Sequence, residues 1–173
     1  VDASSAMRSI RRADVVLMLI DATVPVSQVD EHVEHEVLTH HKPVIIVVNK
    51  WDLTQEKSTK EEYVKYLEKA LGGLTFAPVA FISAAKGEGV QELVQTAMNL
   101  YAQAGQRVTT SELNRVMEQM LEEKTPTSGI GRHPKVYYAT QLEVHPPTVA
   151  LFVNDPGMFD AGYQRFLMNR FRD

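Results

Sequence analysis

Two kinds of hydrophobic pattern alternate along the first 106 residues of the chain. Three short runs, DVVLMLID (14–21), PVIIVVNK (43–50) and PVAFIS (78–83), are largely apolar, as expected of parallel strands that are covered on both faces. After each run, apolar residues recur at helical spacing, which indicates a helix that buries one side. The pattern therefore predicts three strand–helix units and a parallel α/β sheet.

The predicted helices have recognisable ends. The first begins after Ser27 with Asp30 as its capping-box partner, and the second begins after Ser58 with Glu61 in the same role. The pair Gly72-Gly73 ends the second helix. The positions predicted to face the sheet are Val29, Val33, Val37, Val64, Leu67, Leu71, Val90, Leu93, Val94 and Ala97.

The pattern changes after Gly105-Gln106, which marks a predicted domain boundary. A capped helix and a loop lead into two strands, 135–144 and 148–153, and a closing helix follows. This order predicts a small α+β domain over 107–173, separate from the α/β unit over 1–106. Alternation in the first of these strands predicts a buried face made of Val136, Tyr138, Thr140, Leu142 and Val144.

Composition and charge limit the class of protein. The content of 44% hydrophobic and 23% charged residues is ordinary for a globular chain, and no apolar run approaches the roughly 20 residues of a membrane span. The absence of Cys excludes disulfides and thiolate metal sites, and it fits a cytoplasmic protein. Residues 1–106 contain 10 basic and 14 acidic residues, and 107–173 contain 8 of each, so charge alone does not indicate nucleic-acid binding.

A polar quartet, Asn49-Lys50-Trp51-Asp52, stands at the carboxyl end of the second strand, where ligands bind in open α/β sheets. The Asp52 carboxylate can accept hydrogen bonds from the ring N–H and the exocyclic amine of guanine, a pairing that adenine does not offer. Lys50 can lay its aliphatic stem along the base, and Asn49 can tie neighbouring loops together. Ser83-Ala84-Ala85-Lys86 ends the next strand, where a backbone N–H could donate to the guanine carbonyl oxygen. The residues predicted to bind the nucleotide are Asn49, Lys50, Trp51, Asp52, Ser83, Ala84 and Ala85.

These motifs together resemble a known family. The quartet followed by Ser83-Ala84 resembles the base-specificity half of a P-loop GTPase domain. The second part resembles the KH-like carboxyl-terminal domain of the Der (EngA) family of tandem GTPases in YATQ (138–141), PPT (146–148), LFVN (151–154), Tyr163, Leu167, Asn169 and Arg172. The opening RADVVLMLIDAT…D (12–30) resembles the stretch just after switch II in that family's second GTPase domain. The resemblance extends over essentially the whole chain.

The resemblance implies a fold, ligands and partners. It implies a partial P-loop GTPase domain over 1–106 and a KH-like domain without its last strand over 107–173. It further implies that the complete protein binds GTP and GDP with Mg²⁺, hydrolyses GTP and acts in assembly of the large ribosomal subunit. The implied partners are a guanine nucleotide, the large subunit or its rRNA, and the other GTPase domain of the same polypeptide, with no membrane.

Other parts of a GTPase are not found in the sequence. None of the nine glycines is followed by Lys-Ser or Lys-Thr, and no Asp-x-x-Gly segment occurs. The chain also opens without Met, at Val1-Asp2, in a helical pattern. We therefore expect a fragment without catalytic residues or metal ligands, which binds GDP weakly and hydrolyses no GTP. We also expect self-association through the apolar edge strand at 14–21.

Two alternative functions remain open. The chain could be a nucleotide-independent module that binds RNA or protein, with a vestigial quartet. It could also belong with the Era proteins, which join one GTPase domain to a KH domain. The Gly-x-x-Gly loop of an RNA-gripping KH domain is missing, because Gly129-Ile130-Gly131 has the wrong spacing. Its absence and the YATQ, PPT and LFVN series argue against an Era-type protein.

Several further side chains have both a functional and a structural interpretation. His32 and His35 are spaced as a possible metal pair, but they lie off the Val29 face, which favours a solvated surface. Trp51 could stack on a base, although packing against the neighbouring loop is favoured. The side chains that could contact phosphates, or merely form solvated surface, are Arg132, His133, Lys135, Arg165 and Arg172. Tyr137 and Tyr138 point to opposite faces of a strand, so one of them should face a partner.

Overall fold

The chain divides into two units, Val1–Ala104 and Gly105–Asp173, each with its own hydrophobic core. The computed structural model describes residues 3–126 and 133–172. Gly129-Ile130-Gly131 and Arg132 lie outside the described residues. Within the described part of the chain, none of the helices is long and apolar enough to cross a membrane.

The first unit is built on a parallel sheet with the strand order β1-β2-β3. Its elements are α1 (Ala3–Arg12), β1 (Val16–Asp21), α2 (Gln28–Thr39), β2 (Val44–Asn49), a 3₁₀ turn (Trp51–Leu53), α3 (Lys60–Ala70), a second 3₁₀ turn (Gly72–Leu74), β3 (Val79–Phe81) and α4 (Val90–Ala104). The three predicted strand–helix units are therefore confirmed. The central strand β2 is buried on both faces, which explains why its sequence is continuously apolar.

Helices cover the two faces of this sheet unequally. On one face Met18 and Ile46 pack with residues of α1, α2 and α3, and on the other Ile45 and Val47 pack with residues of α4. Leu17 and Leu19 of the edge strand β1 share the second face by register, yet both are exposed. Self-association through β1 stays a prediction, and these two side chains are the surface it would use.

The predicted capping box of α2 is confirmed and that of α3 is wrong by one residue. In α2, Ser27 is the N-cap and exchanges hydrogen bonds with Asp30. In α3, the N-cap is Thr59 and its partner is Glu62, not Ser58 and Glu61. Both pairs fit the capping-box pattern, so the pattern alone did not distinguish them. The observed start buries Tyr63 and Leu67 in the core, with Val64 only partly buried.

Two residues predicted to face the sheet are exposed instead, Val29 on α2 and Val94 on α4. Val29 lies two turns before the buried Val37, and the partly buried Val33 between them also packs against the core, so only the first residue of that apolar stripe is left uncovered. Val94 follows the buried Leu93, about 100° further round the helix. An apolar stripe therefore extended beyond the helix face that the sheet covers.

The second unit is a two-stranded antiparallel sheet with helices on one face. Its elements are α5 (Thr110–Glu123), β4 (Val136–Glu143), β5 (Thr148–Val153), a 3₁₀ turn (Pro156–Met158) and α6 (Ala161–Arg172). The predicted order of helix, strand, strand and helix is confirmed. The shared core is formed by Leu113, Met117, Met120, Ala139, Phe159, Tyr163 and Leu167.

The predicted buried face of β4 is wrong over most of the strand. Ala139 and Gln141 are buried, whereas Tyr138 and Leu142 are exposed. The pairing with β5 shifts register between Val136 and Tyr138, which marks a bulge. A bulge inserts one residue, so the side chains that follow it lie on the opposite face, as far as the second register shift between Gln141 and Glu143. Sequence alternation alone contains no signal for that insertion.

Candidate functional site

The predicted nucleotide-binding residues lie where neighbouring parallel strands end. Asp21 of β1 pairs with Asn49 of β2, and the end of β3 is level with them, so the following loops lie at one edge of the sheet. The side-chain oxygen Oδ1 of Asn49 accepts a hydrogen bond of 3.0 Å from the Ala84 N–H. This bond links the quartet after β2 to the loop after β3.

Lys50 extends back to β1. Its backbone has φ 60° and ψ 30°, a left-handed conformation, and its Nζ donates to Asp21 Oδ2 over 2.6 Å. Thr23 donates to the other carboxylate oxygen of Asp21 from both its backbone N–H and its hydroxyl. The bond from Lys50 and those from Thr23 lower the pKa of Asp21 to about 2. Asp21 was not among the predicted site residues, although its place at the end of an apolar strand was a usable signal.

Trp51 is an interior residue of the first unit. The residue is 7% exposed, and its indole contacts the rings of Phe81 and Tyr63 edge-on, with centroids 4.6 Å and 5.5 Å away. Its backbone N–H donates to the Ile82 carbonyl over 3.1 Å. The geometry thus favours packing over base stacking for this side chain, and it places Trp51 as the anchor of the loop that contains Asp52.

Asp52 is paired with Lys86 from the following loop. Its side chain is only 10% exposed, and its Oδ2 lies 3.1 Å from Lys86 Nζ. The Lys86 ammonium lowers the pKa of Asp52, and the carboxylate in turn raises the pKa of Lys86. The buried Ser83 hydroxyl also lowers the pKa of Asp52, but it makes no well-formed hydrogen bond with any described residue. The carboxylate therefore stays ionised near neutral pH.

The loop over 83–89 is a closed turn in which some backbone N–H groups bond across the turn and others have no acceptor among the described residues. Ser83 and Glu88 exchange backbone hydrogen bonds of 3.0 Å and 3.1 Å across it. The N–H groups of Ser83, Ala84 and Lys86 bond within the protein. The N–H of Ala85 has no acceptor among the described residues, and Ala85 is exposed. This donor is available to a ligand.

A cleft of about 510 Å³ runs beside β3 in the same unit. It includes Trp51 and Ser83 but neither Asn49 nor Asp52, so it only adjoins the predicted site. The remaining lining residues are Gln55, Lys60, Val79, Ala80, Phe81, Ile82, Glu88, Gly89, Glu92, Leu93 and Thr96.

The structure gives no support to a metal pair on α2. His32 and His35 are both exposed on that helix. Over residues 3–126 and 133–172, no three side chains of the ligating types come together in a way that could hold a metal ion. The exposure of His32 and His35 agrees with the solvated surface that the sequence favoured for them.

Comparison with known proteins identifies relatives of both units. Residues 3–103 match the family described as the elongation factor Tu GTP binding domain. Residues 107–173 match the family described as the KH-domain-like of EngA bacterial GTPase enzymes, C-terminal. GTPase Der of Rhodopirellula baltica is 45% identical over 168 residues, which are 97% of this chain and 37% of that protein. GTPase Der of Geobacter metallireducens is 39% identical over 169 residues, 97% of this chain and 38% of that protein.

The chain therefore spans less than two fifths of the length of these relatives. Among solved structures, Era in complex with MgGDPNP and nucleotides of 16S ribosomal RNA covers 96% of this chain and 60% of its own. That structure is 21% identical, with a TM-score of 0.45.

Proposed function

Because the chain belongs to the Der (EngA) family of GTPases, we propose that its first unit recognises the guanine base of GTP and GDP. The observation that supports this most directly is the 3.0 Å hydrogen bond between Asn49 Oδ1 and the Ala84 N–H. It fixes the two loops that carry the base-reading groups relative to each other before any ligand arrives. Preorganisation of this kind lowers the ordering cost of binding.

Three of the predicted residues then have roles that their surroundings support. The ionised Asp52 accepts hydrogen bonds from the guanine ring N–H and exocyclic amine. One of its oxygens already contacts Lys86, so the Lys86 side chain must move aside or share that oxygen. The unpaired N–H of Ala85 is the donor that suits the guanine carbonyl oxygen. Lys50 is half-exposed, with its ammonium held by Asp21, which leaves the aliphatic stem to lie along the base.

We propose that the complete protein, rather than this chain, performs the hydrolysis. A hydrogen bond to a charged group contributes about 1.5–3 kcal/mol, whereas a millimolar complex already needs about −4.1 kcal/mol. Base contacts therefore confer selectivity, and phosphate and Mg²⁺ contacts from outside this chain supply most of the affinity. In this proposal the protein acts in assembly of the large ribosomal subunit in the cytoplasm. The second unit there contacts RNA or protein, including the other GTPase domain of the polypeptide.

A titration of the full-length protein with GDP, IDP and ADP tests the base contacts. IDP lacks the exocyclic amine, so we expect it to bind about 10- to 150-fold more weakly than GDP, and we expect no detectable ADP binding. Asp52→Ala should remove the difference between GDP and IDP. The matched control Asp14→Ala changes an exposed aspartate at the other end of β1 and should preserve it. Equal affinity for GDP and ADP would contradict the proposal.

A second function is favoured by one specific observation. Both charged residues of the quartet are neutralised within the protein, Lys50 by Asp21 and Asp52 by Lys86. Such pairing would suit a module that binds RNA or protein without nucleotide. The same titration distinguishes the two functions, because this module would show no selectivity among GDP, IDP and ADP.

A further inference from the structure

The second unit has one sheet face that its helices do not cover. Ala139 of β4 is fully buried in the core with α5 and α6, so the residues that alternate with it point the other way. Tyr138 and Phe152 pair across the strands on that face, and they are 45% and 44% exposed. Leu142 is also exposed. We call this surface, formed by Tyr138, Thr140, Leu142, Ala150 and Phe152, the open sheet face.

Two aromatic rings on the open sheet face already form a stack. The rings of Tyr138 and Phe152 lie with centroids 4.2 Å apart and an angle of 11° between their planes. A parallel pair of this kind uses one face of each ring, and both residues remain almost half-exposed. Unpaired nucleobases stack on such aromatic surfaces, and this contact is independent of base identity because every base has a π-face.

Charge around the open sheet face favours a negatively charged partner. Lys135 precedes β4, with its Nζ 5.6 Å from the ring centroid of Tyr137. Arg107 lies at the other end of the strand and donates to the carbonyl oxygens of Gln141 and Leu142 over 3.2 Å each. These partners are uncharged, and neither cation forms an ion pair with a described residue.

Acidic residues lie elsewhere in the second unit, apart from Glu143 at the end of β4. The described ones are Glu112, Glu118, Glu122 and Glu123 on α5, and Asp155 and Asp160 between β5 and α6. Residues 135 and 142 are separated by about 23 Å along an extended strand, at about 3.3 Å per residue. The open sheet face is thus an uncharged aromatic strip with Lys135 near one end and Arg107, together with Glu143, near the other.

We propose that the open sheet face binds single-stranded RNA, with an unpaired base extending the stack of Tyr138 and Phe152. Lys135 and Arg107 contact phosphates several nucleotides apart, one on each side of that base. The inference rests on the proposed function, in which the second unit contacts RNA or protein, and it identifies RNA as the partner of this face. An apolar protein partner would leave both cations without a counter-charge, and duplex RNA keeps its bases inside the helix.

Fluorescence anisotropy of the full chain with a fluorescein-labelled, single-stranded RNA 12-mer, without nucleotide, tests the proposal. Tyr138→Ala and Phe152→Ala should each weaken binding by about 5- to 150-fold, the range for loss of one stacked base. Tyr138→Phe retains the ring and should bind within about 2-fold of the wild type. Lys135→Ala should reduce the salt dependence of binding. The matched control is Tyr101→Ala on α4, since Tyr101 is also 45% exposed, and it should leave binding unchanged.

Several results would overturn the proposal. The first is the absence of RNA binding by the wild type. The second is equal RNA affinity in Tyr138→Ala and the wild type, and the third is a loss of RNA affinity in Tyr101→Ala as large as that in Tyr138→Ala. If Tyr138→Ala changes only the sedimentation of the chain and leaves RNA binding intact, the open sheet face is a protein interface and the proposal is wrong. The GDP titration is independent of this assay, since Tyr138→Ala should not alter nucleotide selectivity. Failure of guanine recognition and failure of RNA binding are therefore distinguishable.

Discussion

The loop that follows β3 contains two glycines that differ in the space around them. Substituting each in turn tests how closely this loop packs against the end of β3. Gly87 and Gly89 have nearly the same left-handed backbone, with φ of 74° and 71°. A Cβ added at Gly87 would meet nothing within 4 Å. A Cβ added at Gly89 would lie 2.5 Å from the Phe81 carbonyl oxygen and 3.2 Å from a methyl group of Ile82.

The two substitutions to Ala should therefore have different costs. Gly87→Ala adds only the left-handed conformation of a residue with a Cβ, about 1–2 kcal/mol. Gly89→Ala carries the same cost and also forces a backbone shift at the end of β3, about 1–3 kcal/mol more. The expected loss in the free energy of unfolding is thus about 2–5 kcal/mol for Gly89→Ala.

Urea denaturation followed by tryptophan fluorescence measures this difference for the first unit. Trp51 is the only tryptophan of the chain and is buried in that unit, so its emission reports the unfolding there. With a slope of about 2 kcal/mol per molar urea, the midpoint of Gly89→Ala should lie about 0.5–1.5 M below that of Gly87→Ala. Equal midpoints would refute the close approach between Gly89 and the Phe81 carbonyl.

Three further predictions concern capping, titration and register. Thr59→Ala should destabilise the first unit by about 1 kcal/mol and Ser58→Ala by clearly less, as urea denaturation will show. The pKa of Asp21 is lowered from 3.8 to about 2. The contribution of its ionised carboxylate to stability is therefore complete above pH 3.8 and is lost as the pH falls toward 2. An NMR titration of the Asp21 carboxyl carbon should give a midpoint at about pH 2. In the second unit, Ala139→Asp should cost more than about 3 kcal/mol, whereas Leu142→Asp should leave the circular dichroism melting curve nearly unchanged. If Leu142→Asp were the more destabilising of the two substitutions, the buried face that the sequence predicted for β4 would be correct instead.

The sequence was sufficient to predict the first unit's sheet because several independent signals agreed. β2 is continuously apolar, as a strand buried on both faces must be, and the helices around it have capping residues and apolar stripes at the right spacing. Since parallel strands end at a common edge, the loop after β2 and the loop after β3 were expected to meet. The bond between Asn49 and Ala84 follows from that topology.

The ion pairs of the site could not be predicted from the sequence in the same way. Lys50 contacts Asp21 across a strand pair, and Lys86 reaches Asp52 only because the loop over 83–89 folds back on itself. Such contacts depend on loop backbone conformations, including the left-handed Lys50, that local sequence patterns do not specify. The bulge in β4 is a similar case, because one inserted residue reverses the alternation without altering the composition of the strand.

The central claim is that the Asp52 carboxylate recognises guanine, and exchanging that carboxylate for an amide tests it most directly. Asp52→Asn in the full-length protein replaces an acceptor by a donor, which suits the second carbonyl of xanthine and not the amine of guanine. In a competition titration of GDP against XDP, we expect the wild type to prefer GDP and Asp52→Asn to prefer XDP. An unchanged preference for GDP in Asp52→Asn would contradict guanine recognition by this residue.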